Sequence, residues 1–235
     1  MLTAFFIVSA VAAQNSGGTA SQQGSLNLLV FKGIYGSDGL KLRKQTLETI
    51  STALSQGNTS DEIYSALEYM SMEGLKNKAL NNRSLVLNDY AEIRLKVAAQ
   101  LGTMGTAKAA AILIQLCDAE TDLTVLRETL KALGDIGINE NDSAVKAIVW
   151  KVRGFNQLRA DNNIEGVLIA AVDAIDKIDK KNDGVKNQWV LEDAVEFLDA
   201  VSRNEKISRK RPEGQVPVQE RAKQVKEDMV RRAKR

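Results

Sequence analysis

The sequence has no histidine, one cysteine (Cys117) and two prolines in 235 residues, and aromatics make up only 5% of it. Without histidine there is no Ser-His-Asp or Cys-His nucleophile, no imidazole general base, no HExxH zinc site and no Cys2His2 finger. A lone cysteine excludes an intrachain disulfide and a thiolate zinc cluster. No proline precedes Pro212, so none is available to break a helix before it. Period-2 alternation, the mark of a half-buried strand, is confined to Leu26, Leu28 and Val30. What is present in quantity is apolar (44%) and charged (26%) material, enough for a sizeable core with a polar coat.

Residues 2–13 form an uncharged, mostly apolar run that includes Phe5, Phe6, Ile7 and Val8 and closes on Ala10-Val11-Ala12-Ala13. About a dozen apolar residues are too few to cross a bilayer, which takes roughly 20. An apolar stretch of this size ending in an Ala-x-Ala pattern predicts a signal peptide over 1–13, although no Lys or Arg precedes the run. The alternative is a buried N-terminal helix. Residues 14–25 are rich in Gly, Ser, Gln and Asn and read as a flexible spacer, which favours export to a periplasmic or extracellular compartment. Cys117 follows Ile112, Leu113, Ile114 and Leu116, a setting for a buried small hydrophobe rather than a reactive thiol.

From residue 40 onward, apolar residues recur at spacings of three and four. The stripes are Leu40, Leu47, Ile50, Leu54; then Ile63, Leu67, Met70; then Tyr90, Ile93, Val97, Leu101; then Ala107, Ala110, Ile114, Cys117. Four more follow: Leu126, Leu130, Leu133; Val145, Ile148, Val149, Val152, Phe155; Ile164, Leu168, Ala171, Ile175, Ile178; and Leu191, Val195, Leu198, Val201. Thr59 with Glu62, and Asp89 with Glu92, have the spacing of helix-opening caps. Gly57, Gly74, Gly102, Gly105, Gly134, Gly137 and Gly184 fall between stripes, where helix ends favour positive φ. The prediction is eight helices with short connections and one longer connection over about 76–88.

Their arrangement is suggested by an internal repeat. Leu101-Gly102-Thr103-Met104-Gly105 recurs 32 residues later as Leu133-Gly134-Asp135-Ile136-Gly137, each copy ending one amphipathic helix shortly before another begins. A repeat of that length made of a helix pair implies stacking into a solenoid. Glu92-Ile93-Arg94 leading to Ala98-Ala99-Gln100-Leu101-Gly102 resembles the first-helix signature of the HEAT-repeat family, in the short form also found in phycobilin lyases. The second copy keeps Leu126-Arg127 and Ala132-Leu133-Gly134; a fourth pair keeps only Ala170-Ala171 and Ala174-Ile175. The resemblance implies an all-α fold, a right-handed α-solenoid of about four stacked helix pairs over 26–202. Its residues specify packing and imply no activity.

Residues 203–235 carry twelve Lys and Arg against five acids, a net +7, which leaves −5 on the first 202. Pro212, Gly214 and Pro217 mark a linker. Beyond it, with only Val218, Val225, Met229 and Val230 as larger apolar residues, the tail reads as a marginal helix or a disordered segment. Its Arg209, Lys210, Arg211, Arg231, Arg232, Lys234 and Arg235 suit an acidic surface or an anionic membrane. Nucleic acid fits less well, since the tail has no aromatic ring to stack on bases.

No motif for chemistry survives inspection. Gly102-Thr103-Met104-Gly105-Thr106-Ala107-Lys108 lacks the Gly-Lys-Ser/Thr ending of a phosphate loop. Asp179, Asp183 and Gly184 match calcium-loop positions, but Lys181 and Val190 stand where ligands are required. The acid pairs Glu192-Asp193 and Asp176/Asp179 are expected on solvated helix faces. Neither a cofactor nor a metal is expected. Trp150 lies about 140° round its helix from Val145, and Trp189 about 160° from Leu191, both off their stripes. Such a tryptophan either fills the interface to the next repeat, the favoured place in a solenoid, or waits for a partner. The expected function is therefore a non-enzymatic, exported scaffold or adaptor that binds a protein through its stacked helices, with Trp150, Trp189 and the basic tail as contacts. The alternatives are a HEAT-like enzyme of lyase or glycosylase type, and tail-mediated binding to nucleic acid or membrane.

Overall fold

A computed structural model describes residues 37–155, 162–205 and 216–234. The expected signal peptide (1–13), the spacer (14–25), and Arg209, Lys210, Arg211 and Arg235 lie outside the described residues. Within them the chain is all-helical, with two isolated β-bridges and no strand. In chain order the helices are α1 (Ser37–Ser55), α2 (Asp61–Ser71), α3 (Ala91–Met104), α4 (Ala107–Ala119), α5 (Leu123–Ile136), α6 (Ser143–Val152), α7 (Asn162–Lys181), α8 (Gln188–Ser202) and α9 (Val218–Ala233). A short 3-10 turn, Glu140–Asp142, leads into α6.

Packing skips along the chain. The odd-numbered helices form one series, α1 on α3, α3 on α5, α5 on α7 and α7 on α9, while α2, α4, α6 and α8 form a second. Each even helix also touches the odd helix that follows it. The core is the union of the apolar stripes: Leu47, Leu67, Ile93, Val97, Leu101, Leu113, Leu126, Leu133, Ile148, Leu168, Ile175 and Leu198 are all buried, with Val190 and Phe197 widening the apolar face of α8.

The two glycines of each repeated motif do different jobs, and only the second is the expected cap. Gly105 and Gly137 stand just past α3 and α5 at φ +65°, where a left-handed residue ends a helix. Gly102 and Gly134 are helical instead. They are points of close approach: a Cβ on Gly102 would lie 2.9 Å from the Ala132 Cβ, and one on Gly134 would lie 2.8 Å from the Ala174 Cα. Alanine is the better helix former by about 1 kcal/mol, yet at position 134 its methyl meets backbone that cannot swing aside. Gly134→Ala is expected to cost about 1–3 kcal/mol net, read as a fall in melting temperature. Gly166→Ala is the control. There the nearest atom is the Cδ of Arg127 at 3.3 Å, a flexible side chain, and stability should hold or rise.

Other local expectations need correction. α2 opens after Ser60, with no side-chain cap bond, rather than through a Thr59–Glu62 box. Asp89 does not cap α3 but accepts a hydrogen bond from Arg94. Thr106, Asp122 and Asn187 supply side-chain caps to α4, α5 and α8. The connection over 76–88 is ordered by asparagines: Asn88 accepts from the Ala79 amide and donates to the Asn77 carbonyl, and Asn81 accepts from the amides of Arg83 and Leu85. The segment 218–233, too poor in large apolar residues to promise order from sequence, packs on α7 and α8 and buries Val218, Ala222, Val225 and Met229.

Candidate functional site

Buried charge among the described residues is held in ion pairs and hydrogen bonds. Arg43 of α1, 1% exposed at its side chain, grips Glu73 just beyond α2 through Nε (2.9 and 3.1 Å) and a terminal nitrogen (2.6 Å). Arg94 of α3 repeats the arrangement. It donates to Glu120 just beyond α4 (2.7 and 3.1 Å), to Asp89 (2.7 Å) and to the Glu73 carbonyl (3.0 Å). Burial pulls both guanidinium pKa values down, but the carboxylate hydrogen bonds and charges outweigh it and hold them above the ordinary value. Farther along, Asp142 accepts from the Lys186 and Asn187 amides (3.0 and 2.6 Å), tying the start of α6 to the start of α8.

Asp176 and Asp179, expected on a solvated face, are 2% and 0% exposed. Their solvent is replaced by cations from α9: Arg221 donates to Asp176 (2.6 Å) and Asp173 (3.1 Å), and Arg232 donates to Asp179 (2.6 Å). The calcium-like loop is thereby accounted for. One Asp179 oxygen accepts the Val185 amide, the other binds Arg232, and the described residues hold no acidic cluster suited to a metal.

Cys117 is fully buried, and desolvation pushes its thiol up to about 12. A thiolate-directed reagent is expected to leave the folded protein unlabelled at mildly alkaline pH and to label one site after denaturation, as intact-mass measurement would read.

Exposed chemistry gathers between α6 and α8. A groove of about 410 Å³ is lined by Val149, Arg153 and Gly154 on one side and by Asp193, Glu196, Phe197 and Ala200 on the other. Because Asp142 joins the starts of both helices, they run in the same direction along it. Trp150 sits three and four residues before Arg153 and Gly154; Trp189 sits four and seven before Asp193 and Glu196. Helical spacing puts Trp189 on the side of α8 that carries Asp193 and Glu196, and Trp150 is linked to the groove through Arg153, which stacks on its ring. Trp150 is 55% exposed and Trp189 78%, so neither fills the interface between repeats that was favoured for them. The Trp150 ring carries the Arg153 guanidinium 3.9 Å from its centroid. As these are the only tryptophans, native emission is expected to be that of hydrated indole, with collisional quenching almost unchanged by unfolding.

The basic residues of the tail divide. Arg231 and Lys234 are exposed, the former 3.4 Å from Asp228, whereas Arg232 turns inward to Asp179 and no longer offers its charge to a partner. Sequence pattern flagged both tryptophans but not the groove between them, because Arg153, Asp193 and Glu196 become neighbours only when α6 and α8 pack. No protein-family model, no curated protein and no solved structure matches the chain.

Proposed function

We propose that the chain is a short right-handed α-solenoid of about four helix pairs, HEAT-like in its repeat, which serves as a non-enzymatic protein-docking scaffold after export. Support for the solenoid comes from the two series of helix contacts and from Gly102 and Gly134, where α3 meets α5 and α5 meets α7 at close approach. The repeat is also visible in the paired Arg43–Glu73 and Arg94–Glu120 contacts, each linking a first helix to the end of a second. Export rests on the apolar run over 2–13 and its Ala-x-Ala end.

One observation carries the docking role: two large indoles stand in solvent on the two helices that flank one groove, where desolvation by a partner would recover their apolar area. On α9 and just past its end, Arg231 and Lys234 add positive charge for electrostatic attraction. The test is site-specific photocrosslinking in the cells that make the protein, with a photoreactive amino acid in place of Trp150, Trp189 or, as control, the exposed Lys96 of α3. Adducts to another protein at both tryptophan positions and none at 96 are expected. Equal yields at all three positions, or none, would overturn the assignment.

A further inference from the structure

The groove's two banks differ in charge. On the α8 bank, Asp193 and Glu196 are exposed and make no salt bridge among the described residues. On the α6 bank the only lining charge among the described residues is Arg153, already seated on the Trp150 ring. Between them the floor is apolar: Val149, Phe197 and Ala200. We infer that the groove takes a cationic amphipathic segment of a partner protein, whose apolar side chains lie on Phe197 and Ala200 while its Lys or Arg side chains reach Asp193 and Glu196. This rests on the docking role proposed above and adds the chemistry of the occupant.

The physical argument runs from desolvation. Covering the groove with an acidic or purely apolar segment would strip water from two carboxylates and leave them without a counter-charge, which is costly. A basic segment supplies that counter-charge, and its aliphatic stems cover apolar surface on the way. Trp189, one turn before Asp193, offers a second indole face to a cation, in the manner that Trp150 holds Arg153. Arg153 repels cations from the α6 bank and so sets which way round the segment lies. The stripe from Trp189 to Ala200 extends about 16 Å at 1.5 Å per residue, the length of about three helical turns. An anionic lipid surface is disfavoured by the same two carboxylates.

The experiment titrates the full chain with two synthetic helical peptides of about three turns and identical leucine stripes, one with Lys and Arg on its polar face, the other with Glu. Tryptophan emission and calorimetry report binding. The cationic peptide is expected to shift the emission and to bind about tenfold more weakly to an Asp193→Asn, Glu196→Gln double variant, with affinity falling as salt rises. The acidic peptide is expected not to bind. Equal binding of both peptides, undiminished binding to the double variant, or no binding of either peptide would each overturn the inference. Crosslinks at Trp150 and Trp189 together with any of those results would leave the docking role standing and remove only its charge preference; loss of both would remove both.

Discussion

Replacing Glu120 by alanine is expected to lower stability by about 3–5 kcal/mol and to lower the melting temperature by about 10 °C or more. The carboxylate is wholly buried and does two things at once. It receives two hydrogen bonds from Arg94, and it also accepts the Thr121 and Asp122 amides (2.8 and 2.9 Å), thereby shaping the turn into α5. Without it Arg94, itself 1% exposed, keeps only the Glu73 carbonyl and Asp89, whose side chain is 59% exposed. A buried cation would then face solvent-weakened compensation. The cost belongs to the orphaned charge rather than to the pair: Arg94→Met combined with Glu120→Ala should recover much of the loss, because removing both charges also removes their desolvation. Urea melts of the two single variants and the double would read this as strong coupling. Additive losses would mean that Glu120 acts only through the turn.

The apolar part of the fold was legible in the sequence because it obeys a period. Every stripe from Leu47 to Val201 contributes buried residues to the core, and the repeat of Leu-Gly-x-x-Gly at 32 residues marked helices that pack on one another. Polar partnerships carry no period and were misplaced. Asp176 and Asp179 look like surface carboxylates beside Lys177, Lys180 and Lys181; only the arrival of α9, some 45 to 53 residues along, makes them interior. Arg232 was misplaced for the same reason, as one of the tail cations offered to an acidic surface or membrane, whereas it donates to Asp179. For α9 a marginal helix was one of two readings, but its docking was not legible, since its buried line of Val218, Ala222, Val225 and Met229 is a narrow stripe that works only against ready-made apolar surfaces on α7 and α8. At the groove, the individual tryptophans were conspicuous as apolar residues off their stripes, while its charged banks come from helices more than thirty residues apart in sequence.

Arg232→Ala is expected to cost about 3 kcal/mol at neutral pH, and the deficit should shrink as the solution is acidified. Asp179 is buried to 0% exposure, and in the intact protein desolvation already raises its pKa above the ordinary carboxylate value, with the Arg232 hydrogen bond and charge holding that rise in check. A carboxyl whose pKa is higher folded than unfolded contributes stability when protonated, below its unfolded value, and loses that contribution as pH rises through its folded value. Removing Arg232 removes the main force opposing the rise, so the window widens toward neutrality and the variant suffers most where Asp179 is ionised. The neighbouring Asp176 loses the more distant Arg232 nitrogen at 3.9 Å but keeps Arg221 at 2.6 Å and Lys180 at 2.7 Å, and the apolar line of α9 is untouched, so the helix should stay docked and the change should read chiefly as charge loss at Asp179. Melting curves of wild type and variant should therefore converge toward acid pH. Asp179→Asn placed on top of Arg232→Ala should remove the pH dependence and restore part of the stability, since a neutral amide needs no counter-charge. A deficit constant across pH would show instead that Arg232 matters for the packing of its stem against α7 and not for the carboxylate it meets.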